Sequence, residues 1–82
     1  MPLREERLGV RLTPLKARIL DTIKRAGDTG IHSDDLYGIA FQDRQQRSME
    51  TLKSHIHQIN DLLVLTDWRV RQIDKKYRLV RE

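Results

Sequence analysis

The sequence predicts a mainly α domain with a small antiparallel β component: three helices followed by a C-terminal β-hairpin. Three observations lead there. The chain has 82 residues, of which 34% are charged and 38% hydrophobic, enough for one domain with a small core. Leu52, Ile56, Ile59 and Leu63, with Met49 one turn earlier, recur at the period of a helix with one buried stripe. From Trp68 the period changes to two: WRVRQI and YRLVR alternate apolar and polar residues, as paired strands do.

Taken in order, Met1–Gly9 is charged and aperiodic and is expected to be a flexible arm, with a single domain over residues 10–82. Val10–Leu12 suits a short strand. Thr13-Pro14 is a helix start, with Thr13 as N-cap and Pro14 in the first turn. Leu15, Ile19, Ile23 and Ala26, widened by Leu20, then form a stripe. Lys24 and Arg25 sit in the last turn, where cations suit the helix dipole, and the Gly27–Gly30 segment stops the helix. Ile31 is a candidate bridging strand residue. Ser33 is the expected cap of a second helix over Asp34–Ala40, with Leu36 and Ala40 inward and Phe41 anchoring its end. Gln42–Arg47 is a polar loop, and Ser48 caps the helix at Met49–Leu63. Val64 and Leu65 are expected to close the core beneath it, and Thr66-Asp67 to turn the chain. In the hairpin, Asp74-Lys75-Lys76 is the connection, and Ile73 falls out of phase as if through a bulge.

Charge is distributed unevenly. Residues 68–82 hold six basic residues (Arg69, Arg71, Lys75, Lys76, Arg78, Arg81) against Asp74 and Glu82, a net of +4. Residues 1–67 hold ten of each sign, so the excess of the whole chain lies at its C-terminal end. With a pI near 9.9, this favours an anionic partner. No apolar run approaches 18 residues, so no membrane partner is expected. No signal-peptide pattern opens the chain, and there is no cysteine, which fits a cytoplasmic location.

The outward face of the Met49–Leu63 helix, at about 100° per residue, holds Arg47, Glu50, Thr51, Ser54, His57, Gln58 and Asp61, with Lys53 on its flank. Most of these side chains donate and accept hydrogen bonds, as the edges of DNA bases in the major groove require. An ordinary solvated helix face has the same composition. His55 and His57, two residues apart, point about 200° from one another on a helix and cannot share a metal ion. His55 falls at the edge of the buried stripe and reads as a packed histidine. Asp34 and Asp35 are explained by the start of a helix rather than by acid–base chemistry. The sequence has no Ser/His/Asp set, glycine-rich phosphate loop or metal-ligand cluster, so neither an enzyme nor a cofactor is expected. Trp68 reads as a lid over the core.

Three helices and a basic hairpin are the arrangement of a winged helix-turn-helix. The chain resembles more narrowly the effector domain of OmpR/PhoB-type response regulators over residues 9–81. Leu12-Thr13 stands where that family opens its first helix, and Leu36 with Phe41 where its second helix ends. Leu52, His55, Ile56, Ile59 and Leu63 follow its recognition helix, and Val70, Ile73, Tyr77 and Leu79 follow the frame of its wing. The chain departs from the family in three ways. Only Met1–Leu12 precede the first helix, so a stand-alone or excised module without a receiver domain is expected. The wing tip is shorter and lacks glycine. Gln58, Asn60, Asp61 and Leu62 replace the basic end of the recognition helix. TLKSHIHQINDLL is also similar to the recognition helix of LuxR-type regulators, which have no wing.

The resemblance implies sequence-specific binding of double-stranded DNA by a bacterial or phage transcription regulator, as a monomer or weak dimer. Ser54, His57 and Gln58 are expected to meet base edges, and Arg44, Arg47, Thr51 and Lys53 phosphates. The wing, with Lys75, Lys76 and Arg78, is expected along the backbone or in the minor groove. The alternative is a winged-helix adaptor docking on RNA polymerase or another regulator.

Overall fold

The computed structural model describes residues 5–42 and 48–82. The expected loop over Gln42–Arg47 therefore lies largely outside the described residues.

Strands β1 (Glu5–Arg7) and β2 (Val10–Leu12) form an antiparallel hairpin whose two turn residues, Leu8 and Gly9, have φ of 53° and 83°. The described part of the expected arm is thus a strand. Charge composition concealed it, because Arg7 uses its charge internally: its Nε donates to Asp21 at 2.8 Å, fixing the hairpin to the first helix.

Helix α1 (Pro14–Ala26) starts and ends as the sequence requires. Thr13 Oγ1 accepts from the Lys16 amide at 3.3 Å, and the chain stops at Gly27, whose φ of 63° suits glycine. Strand β3 (Ile31–His32) leads into helix α2 (Ser33–Ala40). Here the cap is His32 rather than Ser33: His32 Nδ1 accepts from the Asp34 amide at 3.1 Å. Pairing of Ile31 and His32 with the last strand extends the chain through His32, and the helix starts one residue earlier than expected.

Helix α3 (Met49–Leu62) is capped by Ser48 Oγ on the Thr51 amide at 3.3 Å and runs into a 3-10 turn over Leu63–Leu65. The turn changes what the apolar run Leu62–Leu65 does. Leu63 is fully buried, but Val64 is 60% exposed and Leu65 96% exposed, so neither closes the core as expected. The tighter winding shifts the angular phase of the side chains once the α-helix ends, and only Leu63 stays under it. Arg69 satisfies the carbonyls this leaves, donating to those of Leu63 at 2.6 Å and Val64 at 3.0 Å.

Strands β4 (Trp68–Ile73) and β5 (Lys76–Arg81) form the C-terminal hairpin, and β3 adds to β5 to give a sheet ordered β3-β5-β4. The register is continuous from Trp68↔Arg81 to Ile73↔Lys76, with no bulge. Ile73 alternates onto the outer face, where it is 48% exposed. The hairpin turn is Asp74-Lys75 alone, with φ of 53° and 65°. Two consecutive positive φ values mark a type I′ turn, the geometry that matches the twist of paired strands.

Buried Leu12, Ile19, Leu20 and Ile23 meet Leu36, Leu52, Ile59 and Leu63 in one core, closed on the sheet side by Val70 and Tyr77. Trp68 is partly buried against this core, as a lid, with the Arg81 guanidinium 5.7 Å from its ring centre. The His55 ring lies 6.2 Å from that of Phe41, in keeping with a packed histidine.

Asn60 joins α3 to the hairpin. Its Oδ1 accepts from the Val70 amide at 2.8 Å and its Nδ2 donates to the Val70 carbonyl at 3.0 Å, so one side chain occupies the open edge of β4 as another strand would. At the far end, Arg71 donates both Nε and Nη2 to the Glu82 carboxylate, at 2.8 and 2.7 Å. These bonds hold the Glu82 carboxyl below its ordinary value. Their contribution to stability is therefore present at neutral pH and is lost as pH falls through the carboxylate range.

Candidate nucleic-acid interface

The buried stripe of α3 fixes which side chains it offers to solvent. Leu52, Ile56 and Ile59 point inward, and Glu50, Lys53, Ser54, His57, Gln58 and Asp61 are exposed, with Thr51 half-buried. Ser54, His57 and Gln58 therefore share an open face. Two contacts on α3 modify the simple picture. His57 Nε2 lies 3.6 Å from the Asp61 carboxylate, one turn away, and Lys53 Nζ lies 3.8 Å from Glu50. Such exposed pairs are weak and exchange readily for stronger anionic partners. Thr51 is partly engaged with its own cap, its hydroxyl 3.3 Å from that of Ser48. Arg44 and Arg47 lie outside the described residues.

A cleft opens on each flank of this helix. The first, about 420 Å³, is walled by Met49 and Lys53 of α3, by His32, Ser33 and Asp34 at the start of α2, and by Gln72 and Lys75 of the hairpin. The second, about 340 Å³, lies between Gln58, Asp61 and Leu62 of α3 and Arg11, Thr13 and Lys16 from β2 and the start of α1. Lys53 and Gln58 are five residues apart, so they project about 140° from one another around the helix axis. The polar face thus lies between two clefts that each bring cations to its border. Sequence reading missed Arg11 and Lys16, because the fold alone brings them beside Gln58; no local pattern marks them. A larger groove of about 630 Å³ runs between α1 and α2 and has no lining residue from α3.

The basic residues of the hairpin divide into two groups. Arg69 holds carbonyls of the 3-10 turn, and Arg71 is bound to Glu82. Arg81 faces Asp67 at 3.7 Å, and half-buried Arg78 donates to the Asp28 carbonyl at 3.3 Å. Arg78 is also folded beneath Gly30, where an added Cβ would lie 2.8 Å from its Cγ. It therefore faces the body of the domain rather than the tip. Lys75 and Lys76 are exposed and have no ion-pair partner among the described residues. The net charge of this segment overstated its free cations, because a count of charges does not see their partners.

The tip itself is anchored. The Ser33 amide donates to the Lys75 carbonyl at 2.9 Å, and His32 pairs with Lys76 across the β3–β5 ladder. The hairpin is thereby held at a fixed place beside α3. Among the described residues no helix is long and apolar enough to cross a membrane. No protein-family model and no curated protein matches the chain.

Proposed function

We propose that the protein is a winged helix-turn-helix that binds double-stranded DNA sequence-specifically, with α3 in the major groove and the β4–β5 hairpin as its wing. The observation that carries this reading is the position of the polar α3 face between two cation-bearing clefts. A helix with its side chains is about 10–12 Å across and the major groove about 12 Å wide, so the cations flanking an inserted helix meet the two phosphate backbones. Ser54, His57 and Gln58 then face base edges, and a glutamine suits adenine. Lys53 and Thr51, the wing lysines Lys75 and Lys76, and the newly identified Arg11 and Lys16 face the backbone. Regulation of transcription in a bacterium or phage is the role such a module fits.

The test is binding to random and selected duplexes across a salt titration. Log affinity is expected to fall linearly with log salt, by about 0.9 for each phosphate neutralised. Gln58→Ala is expected to leave melting unchanged and to relax base preference at one position of the selected sequence, by about 1–3 kcal/mol. An unaltered selected sequence removes Gln58 from the readout.

One observation favours a second reading. Leu62, Val64 and Leu65 are exposed together at the C-terminal end of α3, as an adaptor docking on another protein would require. An adaptor shows no salt-dependent affinity for duplex DNA, so the same titration separates the two.

A further inference from the structure

Two residues on the wall of the first cleft contradict local preference. His32 caps α2 with an imidazole nitrogen, where serine, threonine, aspartate and asparagine are the favoured caps. Lys75 has φ of 65° at the second position of a type I′ turn, where glycine removes the steric penalty of a side chain. Residues that break local rules mark sites where function opposes stability. Both line one cleft, together with Lys53.

The chemistry of the three side chains converges. Lys53 and Lys75 carry ammonium groups from two different elements. His32 Nδ1 accepts from the Asp34 amide, so in the neutral ring the proton resides on Nε2, which remains a donor for a ligand. The Asp34 carboxylate also lines the cleft, 3.8 Å from His32 Nδ1, and its side chain is 78% exposed. Two ammonium groups and a ring N–H, against the solvated carboxylates of Asp34 and of Glu50, which lies 3.8 Å from Lys53 Nζ at 83% exposure, make a site for an anion with several acceptor oxygens. The cleft borders the α3 face proposed to enter the major groove, which places a phosphodiester of the DNA backbone there.

We propose that this cleft seats a single backbone phosphate, held jointly by Lys53, Lys75 and the Nε2–H of His32. This rests on the DNA-binding reading and adds a defined phosphate subsite that fixes the register of the wing on the duplex.

Two variants separate binding from folding. His32→Asn keeps an acceptor for the Asp34 amide and removes the Nε2 donor. Lys75→Gly relieves the turn and removes the ammonium. Each is measured by thermal melting and by affinity for a random-sequence duplex over a salt series. Both are expected to melt at or above the wild-type temperature and to bind several-fold more weakly. Lys75→Gly and Lys53→Ala alone are each expected to change the salt slope little, because the remaining ammonium group still neutralises the one phosphate, and together to lower it by about 0.9. Wild-type affinity in both single variants overturns the phosphate site and leaves DNA binding standing. A drop of about 0.9 in each single variant and about 1.8 in the double variant overturns the single shared phosphate. Melting well below wild type in both variants overturns the argument from local cost on which the site was found. Absence of salt-dependent binding by the wild-type protein overturns the DNA reading itself.

Discussion

Replacing Ile59 by alanine is expected to destabilise the protein by about 2–5 kcal/mol, the loss typical of emptying a large aliphatic site in a packed core. Ile59 is fully buried on α3, in the same cluster as Ile19, Leu20 and Ile23 of α1 and Leu36 of α2. A domain of this size has only about 5–15 kcal/mol in total, and each kcal/mol moves the melting temperature by about 4–8 °C. Thermal unfolding followed by circular dichroism should therefore show a fall of roughly 10 °C or more. Ile56, 6% exposed on the same stripe, should show a somewhat smaller fall. Leu65→Ala, at a site 96% exposed, is the control and should melt near wild type. A change of only a few degrees in Ile59→Ala would mean that the inward face of α3 has been assigned wrongly, and with it the polar face opposite.

That face was legible because period and caps agree. Apolar spacing gave α1 and α3, and Thr13 and Ser48 start them where the spacing begins. The apolar positions that differ in the structure share a physical cause: an apolar residue need not point inward. The apolar pattern brings Ile73 in through a bulge, yet an unbroken ladder puts it outside opposite Lys76. Val64 and Leu65 continue an apolar run, which predicts them in the core, and a 3-10 turn carries them into solvent. The place of the turn is legible, since Asp74-Lys75-Lys76 is the expected connection and the structure turns at Asp74-Lys75; its type I′ geometry is not, because Asp74 suits the first position but Lys75 stands where glycine is usual. Of the candidate site, Ser54, His57 and Gln58 followed from helical phase alone. Arg11 and Lys16 did not, because they reach Gln58 only through packing of α1 against α3. Arg69, Arg71, Arg78 and Arg81 looked free in the sequence for the converse reason: their partners lie on other turns and strands.

Neutralising both clefts with Arg11→Gln, Lys16→Gln, Lys53→Gln and Lys75→Gln is expected to have the largest effect on binding. The first cleft is assigned one phosphate, and the second, with two cations, one or two. The slope of log affinity against log salt should therefore fall by about 2–3. With the non-electrostatic part of binding unchanged, the wild-type and variant lines meet near 1 M salt, so at 0.1 M the variant should bind about 10²- to 10³-fold more weakly. The loss should be similar on selected and random duplexes, because backbone contacts carry little sequence information. Melting should change little. Arg11, Lys53 and Lys75 are exposed, Lys53 meets Glu50 only at 3.8 Å, and the Thr13 cap uses the backbone amide of Lys16, which the substitution retains. Neutralising each cleft alone should give part of the effect. If the Arg11/Lys16 pair alone leaves both slope and affinity unchanged, the helix is gripped on one flank only, and insertion of α3 between two backbones is excluded. If all four substitutions leave the slope intact, phosphates are met elsewhere on the molecule and the α3 face is not the DNA-binding surface.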